Sequence, residues 1–498
     1  MSQSMFFTQS SLSFQSNPMV CDKVNIPIEG AYFGILNLQA QQTAITRSNQ
    51  EFVFVIDESG SMSDICSDGR TKMQHIVHTL KNMIIYFKNN LKNAHICVYV
   101  FDHNFSCVIE RTMVDEDNFN EIMTKIDTIH PRGNTNIEKA LKNIGDVIDN
   151  IIERYPTHSV NHVFMTDGES TMGSDDIHLL KELVNPNIYN SFIGFGINHD
   201  SYLLNGISSN TKSSYYFIDE LEKAGLVYGE ILHNVLYKLL TDVEIHIKNG
   251  LIYDFKTNTW VEKLAIGDIV GESNKMYHII SKTPDNCFAF IEAIYEDCPL
   301  RLSVGKFLAE PFDYTRYLYR QRTLQLLYNV NEIYNKKITT NKIFRWSEVN
   351  NDDINEEKTQ IKLKIRNFIE EIKKYMLDNH LTNDSFLKNL CDDVYISYRT
   401  LGTKYGAMFT TARQTSQGTQ RCYTVRQTPD EPFDDNVETL YLMNTKQTIF
   451  ANNIGNIALD YEPLQHDVSE FNDTPYLTPT ATKLMRDISY GVSEEAEP

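Results

Sequence analysis

One short stretch constrains the fold of this chain more than any other. Five consecutive apolar residues, Phe52 to Ile56, run directly into a polar segment, Asp57-Glu58-Ser59-Gly60-Ser61. An apolar run without alternation is typical of a strand that is buried on both faces of a parallel sheet. The carboxylate and the two hydroxyls are therefore expected at the carboxyl end of a central strand, where open α/β sheets place their binding crevices.

The pattern around this stretch alternates between strands and helices. Apolar residues recur at helical spacing after Thr71 and again after Asn136, and strand-like runs lie at 95–101, 162–165 and 191–195. Such alternation predicts an α/β fold with a doubly wound, mostly parallel sheet and right-handed crossovers. The run Phe105 to Val114 is expected to form an antiparallel edge strand.

Two further loops add oxygen-bearing side chains to the same edge of the predicted sheet. Thr135 lies in Gly133-Asn134-Thr135-Asn136 before a helix, and Asp167 follows the strand at 162–165. Hydroxyl and carboxylate oxygens are hard ligands, which suit Mg²⁺, Mn²⁺ or Ca²⁺ better than zinc. The predicted metal site has five residues: Asp57, Ser59, Ser61, Thr135 and Asp167.

The order and approximate spacing of these loops resemble the von Willebrand factor A domain, a Rossmann-like family with a metal-ion-dependent adhesion site. The resemblance implies that Ser59, Ser61 and Thr135 bind the metal directly. It also implies that Asp57 and Asp167 act through water or directly, depending on state. The last coordination position would then accept a Glu or Asp carboxylate from a protein partner.

Three further residues are predicted to form a rim around the site. Glu58 is interpreted as a solvent-facing neighbour whose charge strengthens cation binding, and Glu169 has the same interpretation. Asn134 completes the predicted partner-binding rim. His75 and His78 lie three residues apart on the first helix, but they are interpreted as ordinary core or surface histidines because a third ligand is not evident.

The rest of the chain divides by composition. Period-2 alternation at Val243 to Ile247 and the hairpin signal Asn249-Gly250 predict a small β-sandwich. Helical spacing near the end, from Ala481 to Ile488, predicts a short docking helix. The expected domains are 1–20 (flexible arm), 21–50 (strands joining the β domain), 51–240 (the α/β domain), 241–310 (β-sandwich), 311–400 (helical region) and 401–498 (irregular tail).

The flanking regions also resemble, more weakly, a group of intracellular proteins of eukaryotes and large DNA viruses, which join this domain to a β domain and a helical C-terminal region. The segments that resemble motifs of those proteins are 413–421 and 476–486. This resemblance implies an intracellular, cytoplasmic protein, or one of the host cytoplasm or virion if the source is viral.

Composition excludes several classes of function. A formal charge of −20 disfavours nonspecific binding to nucleic acid, and an apolar run near the ~20 residues of a membrane helix is not found. The N-terminal segment lacks the features of a secretory signal. The eight cysteines include no C-x-x-C pair, which favours reduced thiols in an intracellular protein.

Three functions are compatible with these observations. The first is a non-enzymatic, divalent-cation-dependent protein-binding module. The second is a scaffold in which the metal site is vestigial and the helical region and tail assemble partners. The third is a metal-dependent hydrolase. The loops supply no second metal cluster, no positioned general base and no phosphate-binding glycine loop, so the binding module is preferred.

Overall fold

The structure is a computed structural model that describes most of the chain. The described residues are 5–18, 27–44, 49–66, 68–196, 199–218, 224–305, 313–343, 351–401, 406–422 and 476–490. They fall into two compact units. Unit 1 contains Met1–Ala40, Val243–Ile266 and Ser273–Leu477, and unit 2 contains Gln41–Asp242, Gly267–Glu272 and Thr478–Pro498.

The described elements include fifteen strands and eleven α-helices. The strands are β1 (Phe7–Phe14), β2 (Tyr32–Ala40), β3 (Gln50–Asp57), β4 (Ala94–Phe101), β5 (Phe105–Met113), β6 (Ser159–Thr166), β7 (Tyr189–Phe195), β8 (Ser213–Ile218), β9 (Lys238–Lys248), β10 (Leu251–Asp254), β11 (Thr259–Val261), β12 (Lys263–Val270), β13 (Asn274–Ser281), β14 (Phe288–Tyr295) and β15 (Cys298–Val304). The helices are α1 (Lys72–Asn90), α2 (Phe119–Ile126), α3 (Ile137–Arg154), α4 (Ile177–Glu182), α5 (Ser201–Ile207), α6 (Ala224–Leu236), α7 (Tyr314–Ile343), α8 (Asn351–Asp378), α9 (Ser385–Thr400), α10 (Gly406–Thr419) and α11 (Pro479–Tyr490).

Unit 2 is built on a six-stranded sheet with the order β5-β4-β3-β6-β7-β8. Strand β3 pairs in parallel with β4 on one side and β6 on the other, and Phe54 lies opposite Val98 and Val163. Only β5, at the edge, runs antiparallel. The predicted doubly wound, mostly parallel sheet is therefore confirmed, and β5 is the antiparallel edge strand expected from 105–114.

Burial explains why β3 lies at the centre. All eight of its residues are buried, including Gln50 and Glu51 at its start and Asp57 at its end. Helix α1 begins immediately after Thr71, whose side chain accepts a hydrogen bond from the amide of Gln74 in a reciprocal capping box. Both features fix the course of the chain on either side of the loop that follows β3.

Helix α11 packs on α6 and α1 within unit 2. Its apolar face is fully buried, and the closest approach is at two glycines of α6. A Cβ atom at Gly229 would lie 2.5 Å from the Cα atom of Met485, and Gly225 faces Ser489 in the same way. Asn82 of α1 donates a hydrogen bond of 2.8 Å to the carbonyl of Ile488. The amphipathic segment predicted near the end of the chain therefore completes unit 2.

Unit 1 contains a five-stranded antiparallel sheet with the order β1-β2-β13-β10-β11, and a second sheet has the order β12-β9-β14-β15. Strand β2 pairs along its length with β13. This pairing agrees with the prediction that residues 21–50 supply strands to the β domain. The expected flexible arm at 1–20 is wrong for Phe7–Phe14, which forms β1 against β2. Its Ser/Gln-rich composition concealed the apolar residues Phe7 and Leu12, both of which are buried.

Helices α7 to α10 make up the rest of unit 1 around a shared apolar core. The irregular tail expected from 401 is wrong for α10, where the buried guanidinium of Arg413 lies 3.1 Å from the buried carboxylate of Asp393. Gln417 donates to the same carboxylate at 2.6 Å. Within that predicted tail, residues 402–405, 423–475 and 491–498 lie outside the described residues. No helix among the described residues has the length and apolarity needed to cross a membrane.

Candidate metal centre

Three loops of unit 2 meet at the carboxyl edge of the parallel sheet. Loop 1 (57–63) follows β3, loop 2 (130–136) precedes α3, and loop 3 (166–172) follows β6. The amide of Gly60 in loop 1 donates to the carbonyl of Gly133 in loop 2 at 3.1 Å. The amides of Thr171 and Met172 in loop 3 donate to the carbonyl of Thr135. Backbone hydrogen bonds therefore hold the three loops together.

Gly133 is required by the geometry of loop 2. Its φ of +72° is a left-handed conformation that favours glycine, and a Cβ atom at this position would overlap the carboxylate of Asp102. Asp102 in turn anchors the loop, because its carbonyl accepts a hydrogen bond of 3.0 Å from the amide of Asn136. Loop 2 can pass this close to Asp102 only with glycine at position 133.

Asp57 is fully buried and is held by neutral donors. Its Oδ1 accepts a hydrogen bond of 2.8 Å from the amide of Ser59, and its Oδ2 accepts one of 2.6 Å from the hydroxyl of Thr166. Burial raises the pKa of Asp57 from 3.8 to about 6; these hydrogen bonds oppose the rise, and the nearby charge of Asp167 adds to it. A negative charge at this position is costly until a cation balances it.

Ser59, Ser61 and Asp167 form a continuous chain of oxygen atoms. The two serine hydroxyls lie 3.1 Å apart, and Ser61 donates to Oδ1 of Asp167 at 2.7 Å. Ser59 and Asp167 are buried, whereas Ser61 is exposed. The group is therefore open to solvent at Ser61.

Thr135 is buried beside loop 3. Its Oγ1 would lie 3.6 Å from a Cβ atom added to Gly168, the residue that follows Asp167. Its amide donates a hydrogen bond of 3.0 Å to the hydroxyl of Thr171. The structure thus places all five predicted ligands on the three joined loops.

One charged residue at this site was missed by the sequence analysis. The ammonium of Lys72, the first residue of α1, lies 2.7 Å from Oδ2 of Asp167 and 2.9 Å from Oδ2 of Asp64. Burial lowers the pKa of Lys72, but the hydrogen bonds and charges of Asp167 and Asp64 outweigh burial, and the net shift is upward. The position of Lys72 directly after the helix cap Thr71 was the only signal in the sequence.

The rim prediction is wrong for Glu58 and remains a prediction for the other two residues. Glu58 is buried, and its carboxylate pairs with the guanidinium of Arg132 at 2.7 Å. Burial raises the pKa of Glu58, and Arg132 opposes this shift. Because Glu58, the residue after β3, pairs with Arg132 of loop 2, its side chain does not face solvent. Asn134 and Glu169 are exposed.

A second polar cluster, also missed, lies at the opposite edge of the same sheet. Ligand-type atoms of Glu51, His95 and His158 lie within 4.8 Å of one another. However, Arg111 holds both carboxylate oxygens of Glu51, at distances of 2.6 to 3.1 Å. The guanidinium already balances this carboxylate, so the cluster is an internal ion pair and a poor position for a metal ion.

The donor set at the carboxyl edge, by contrast, fits a hard divalent cation. It combines three hydroxyls and two carboxylates on rigidly joined loops, and such oxygens are the ligands that Mg²⁺, Mn²⁺ and Ca²⁺ use in proteins. The two acids are almost completely buried, and Asp57 has only neutral donors among its hydrogen-bond partners. A bound cation would remove the cost of that charge.

Comparison with known proteins agrees with this architecture. Residues 51–228 match the family model of the von Willebrand factor type A domain. The chain therefore contains a von Willebrand factor type A domain, a Rossmann-like α/β domain, as the sequence analysis predicted. No match was found among curated proteins.

Several solved structures are similar to this chain. A von Willebrand factor type A protein from Catenulispora acidiphila is 14% identical with a TM-score of 0.50, and the match covers 85% of this chain and 99% of that one. The ArnB paralog VWA2 from Sulfolobus acidocaldarius is 13% identical with a TM-score of 0.45, over 82% and 99%. Proximal thread matrix protein 1 from the mussel byssus, solved with a zinc-occupied MIDAS motif, is 16% identical with a TM-score of 0.29, over 40% and 47%. At 14% identity, the likeness to the Catenulispora acidiphila protein concerns the fold alone. The TM-scores of the other two structures are too low to support an argument.

Proposed function

We propose that this chain is a divalent-cation-dependent protein-binding module. The observation that carries the proposal is the joining of Asp57, Ser59, Ser61 and Asp167 into one hydrogen-bonded group that opens to solvent at Ser61. Ser59, Ser61 and Thr135 would hold the ion directly, and Asp57 and Asp167 would act through water or directly. The proposed ion is Mg²⁺, with Mn²⁺ or Ca²⁺ as alternatives.

The proposed partner is a protein that offers a Glu or Asp carboxylate. A cation at this site has protein oxygens on its buried side, while the solvent side at Ser61 leaves room for a ligand from outside. Capture of an anionic side chain by this cation needs no proton transfer or nucleophile, so the proposed activity is non-enzymatic. Asn134 and Glu169, both exposed on the neighbouring loops, would form the rim that the partner contacts.

The proposed setting is intracellular. The seven described cysteines form no disulfide with one another, which supports a reducing compartment. The resemblance of the flanking regions to intracellular and large-virus proteins has no support in the comparisons and remains a prediction from residues 413–421 and 476–486.

The test is selection of peptides from a displayed random library on the full chain, with Mg²⁺ or with EDTA. The proposal expects clones that are lost in EDTA, that share an Asp or Glu, and that fail to bind the Ser61→Ala variant. The control is Ser63→Ala, which changes a neighbouring hydroxyl that hydrogen-bonds only the carbonyl of Gly60. Clones that bind equally in EDTA, or that lack a common acidic residue, contradict the proposal.

A further inference from the structure

Lys72 brings a positive charge into the group of atoms that would bind the metal. Its ammonium lies 2.7 Å from Oδ2 of Asp167, a carboxylate whose side chain is 0% exposed. The other oxygen of Asp167 accepts the hydroxyl of Ser61. A divalent cation beside Ser61 would therefore share the negative charge of Asp167 with a lysine that already contacts it.

Asp64 offers the same ammonium a second partner. It lies 2.9 Å from the Lys72 ammonium on the outer side of loop 1, and its side chain is 59% exposed. Lys72 can consequently give up the buried carboxylate and keep an ion pair, because Asp64 needs little desolvation. The ammonium contacts both carboxylates at once, and Asp64 would keep it in an ion pair if it left Asp167.

We propose that Lys72 is a built-in competitor for the metal site and that Asp64 relieves the competition. This inference rests on the proposed metal-dependent function and concerns its regulation. Like charges repel, so a divalent cation binds more weakly while the ammonium holds Asp167 and more tightly when the ammonium moves to Asp64. Lys72 thereby lowers and Asp64 raises the affinity of the site for divalent cations.

The experiment is calorimetric titration of the EDTA-stripped full chain with Mg²⁺ and with Mn²⁺ alone. Lys72→Met is expected to bind each ion at least tenfold more tightly than the wild type, whereas Lys72→Arg keeps the charge and the wild-type affinity. Asp64→Asn is expected to bind about threefold more weakly. In the Lys72→Met background, Asp64→Asn is expected to have no effect, since its influence requires the lysine.

The matched control is Lys139→Met. Lys139 lies in the first turn of α3, beside loop 2, and its ammonium contacts the carbonyl of His103 and the amide oxygen of Asn104. It tests whether any lost positive charge near the site strengthens metal binding. A gain in Lys139→Met equal to that in Lys72→Met would overturn the proposal, because the effect would then be general electrostatics.

Thermal unfolding supplies a second measurement that does not depend on metal affinity. In EDTA, Lys72→Met is expected to melt below the wild type because Asp167 loses its buried cation, and saturating Mg²⁺ is expected to close this gap. If the wild type binds metal and Lys72→Met binds it equally or more weakly, the competition is wrong while the proposed function stands. If neither protein binds Mg²⁺ or Mn²⁺, both fail.

Discussion

Strand β3 begins with the buried carboxylate of Glu51 and ends with the buried carboxylate of Asp57, and the protein neutralises the two in different ways. Glu51 accepts hydrogen bonds from two nitrogen atoms of the Arg111 guanidinium, and Nδ1 of His158 lies 2.6 Å from its carboxylate. Asp57 receives only an amide and a hydroxyl. The same strand thus has a carboxylate paired with a cation at one end, here called the closed end. At the other end it has a carboxylate without a cation.

This difference distinguishes a structural ion pair from a candidate ligand site within one sheet. A buried carboxylate with its own cation is already balanced, so that loss of the cation is costly and no further positive charge is needed. A buried carboxylate with neutral donors keeps such a demand, which shows in the raised pKa of Asp57. The Glu51 cluster, at the amino ends of the parallel strands, is therefore interpreted as structural. The carboxyl edge, with Asp57, is interpreted as the edge that accepts a ligand.

The largest effect is expected at the closed end. Arg111→Met leaves Glu51 buried without its cation, and loss of one partner of a buried pair costs about 3–5 kcal/mol. Hydrogen exchange of β3 and β4 peptides, measured in EDTA, reports the stability of unit 2 separately from unit 1. The double variant Arg111→Met with Glu51→Gln should recover most of the loss. A change below about 0.5 kcal/mol in Arg111→Met, the usual range for surface substitutions, would mean that Glu51 does not depend on the pair.

Asp57→Asn is expected to act in the opposite direction. The folded protein holds a proton on Asp57 up to about pH 6, whereas the ordinary value is 3.8, so its contribution to stability is fully present below pH 3.8. The contribution is lost as the pH rises through about 6, and amounts to about 3 kcal/mol at 1.36 kcal/mol per pKa unit. In EDTA at pH 7, Asp57→Asn should therefore equal or exceed the wild type in stability while losing metal binding.

The measurement is the difference in unit 2 stability between Asp57→Asn and the wild type, from pH 4 to pH 7 in EDTA. Subtraction removes the titration of other groups. The difference should grow in favour of the variant as the pH rises, and saturating Mg²⁺ should reverse it by stabilising the wild type alone. A flat difference across this range would show that Asp57 is ionised at little cost, and the contrast between the two ends of β3 would fail.

A smaller effect is expected at Glu58, the glutamate that directly follows β3. Glu58 is buried like Glu51, but its partner Arg132 is 50% exposed, whereas Arg111 is 23% exposed. Water can replace an exposed guanidinium in part, so Arg132→Met should cost only about 1 kcal/mol. The same exchange measurement applies, with Arg111→Met as the reference. Equal costs for the two variants would indicate that exposure of the arginine does not decide the strength of the pair.

The sequence was sufficient to predict the sheet and the placement of the five oxygen-bearing residues at its carboxyl edge, because both depend on local order. The apolar run before Asp57 and the loops at Thr135 and Asp167 follow directly from strand and helix patterns. Lys72 and Arg111 could not be assigned in this way. Each meets its partner only through strand register or loop geometry, across a separation of 95 residues for Lys72 and Asp167 and 60 for Arg111 and Glu51.

The two ends of the chain show the same limit. Helical spacing from Ala481 to Ile488 was sufficient to predict a docking helix, but its position depends on Gly225 and Gly229, whose shared face exists only once α6 is folded. The N-terminal strand β1 was missed because its polar composition outweighed its few apolar residues, among them the buried Phe7 and Leu12. Both segments gain their structure from a partner element, β2 for the N-terminal strand and α6 for the docking helix.

The smallest effect is expected at His158, the other neighbour of Glu51. Its Nδ1 lies 2.6 Å from Oε1 of Glu51, so His158→Ala removes one hydrogen-bonding partner and should cost about 1 kcal/mol. His158→Asn retains a donor and should stay within about 0.5 kcal/mol of the wild type, again by hydrogen exchange of β3 and β4. In Arg111→Met, loss of His158 should cost more, because the imidazole is then the nearest remaining hydrogen-bonding partner of Glu51. If His158→Ala alone cost as much as Arg111→Met, the imidazole would contribute as much as the guanidinium to balancing Glu51, and Arg111 would not be the residue that decides the stability of this end of β3.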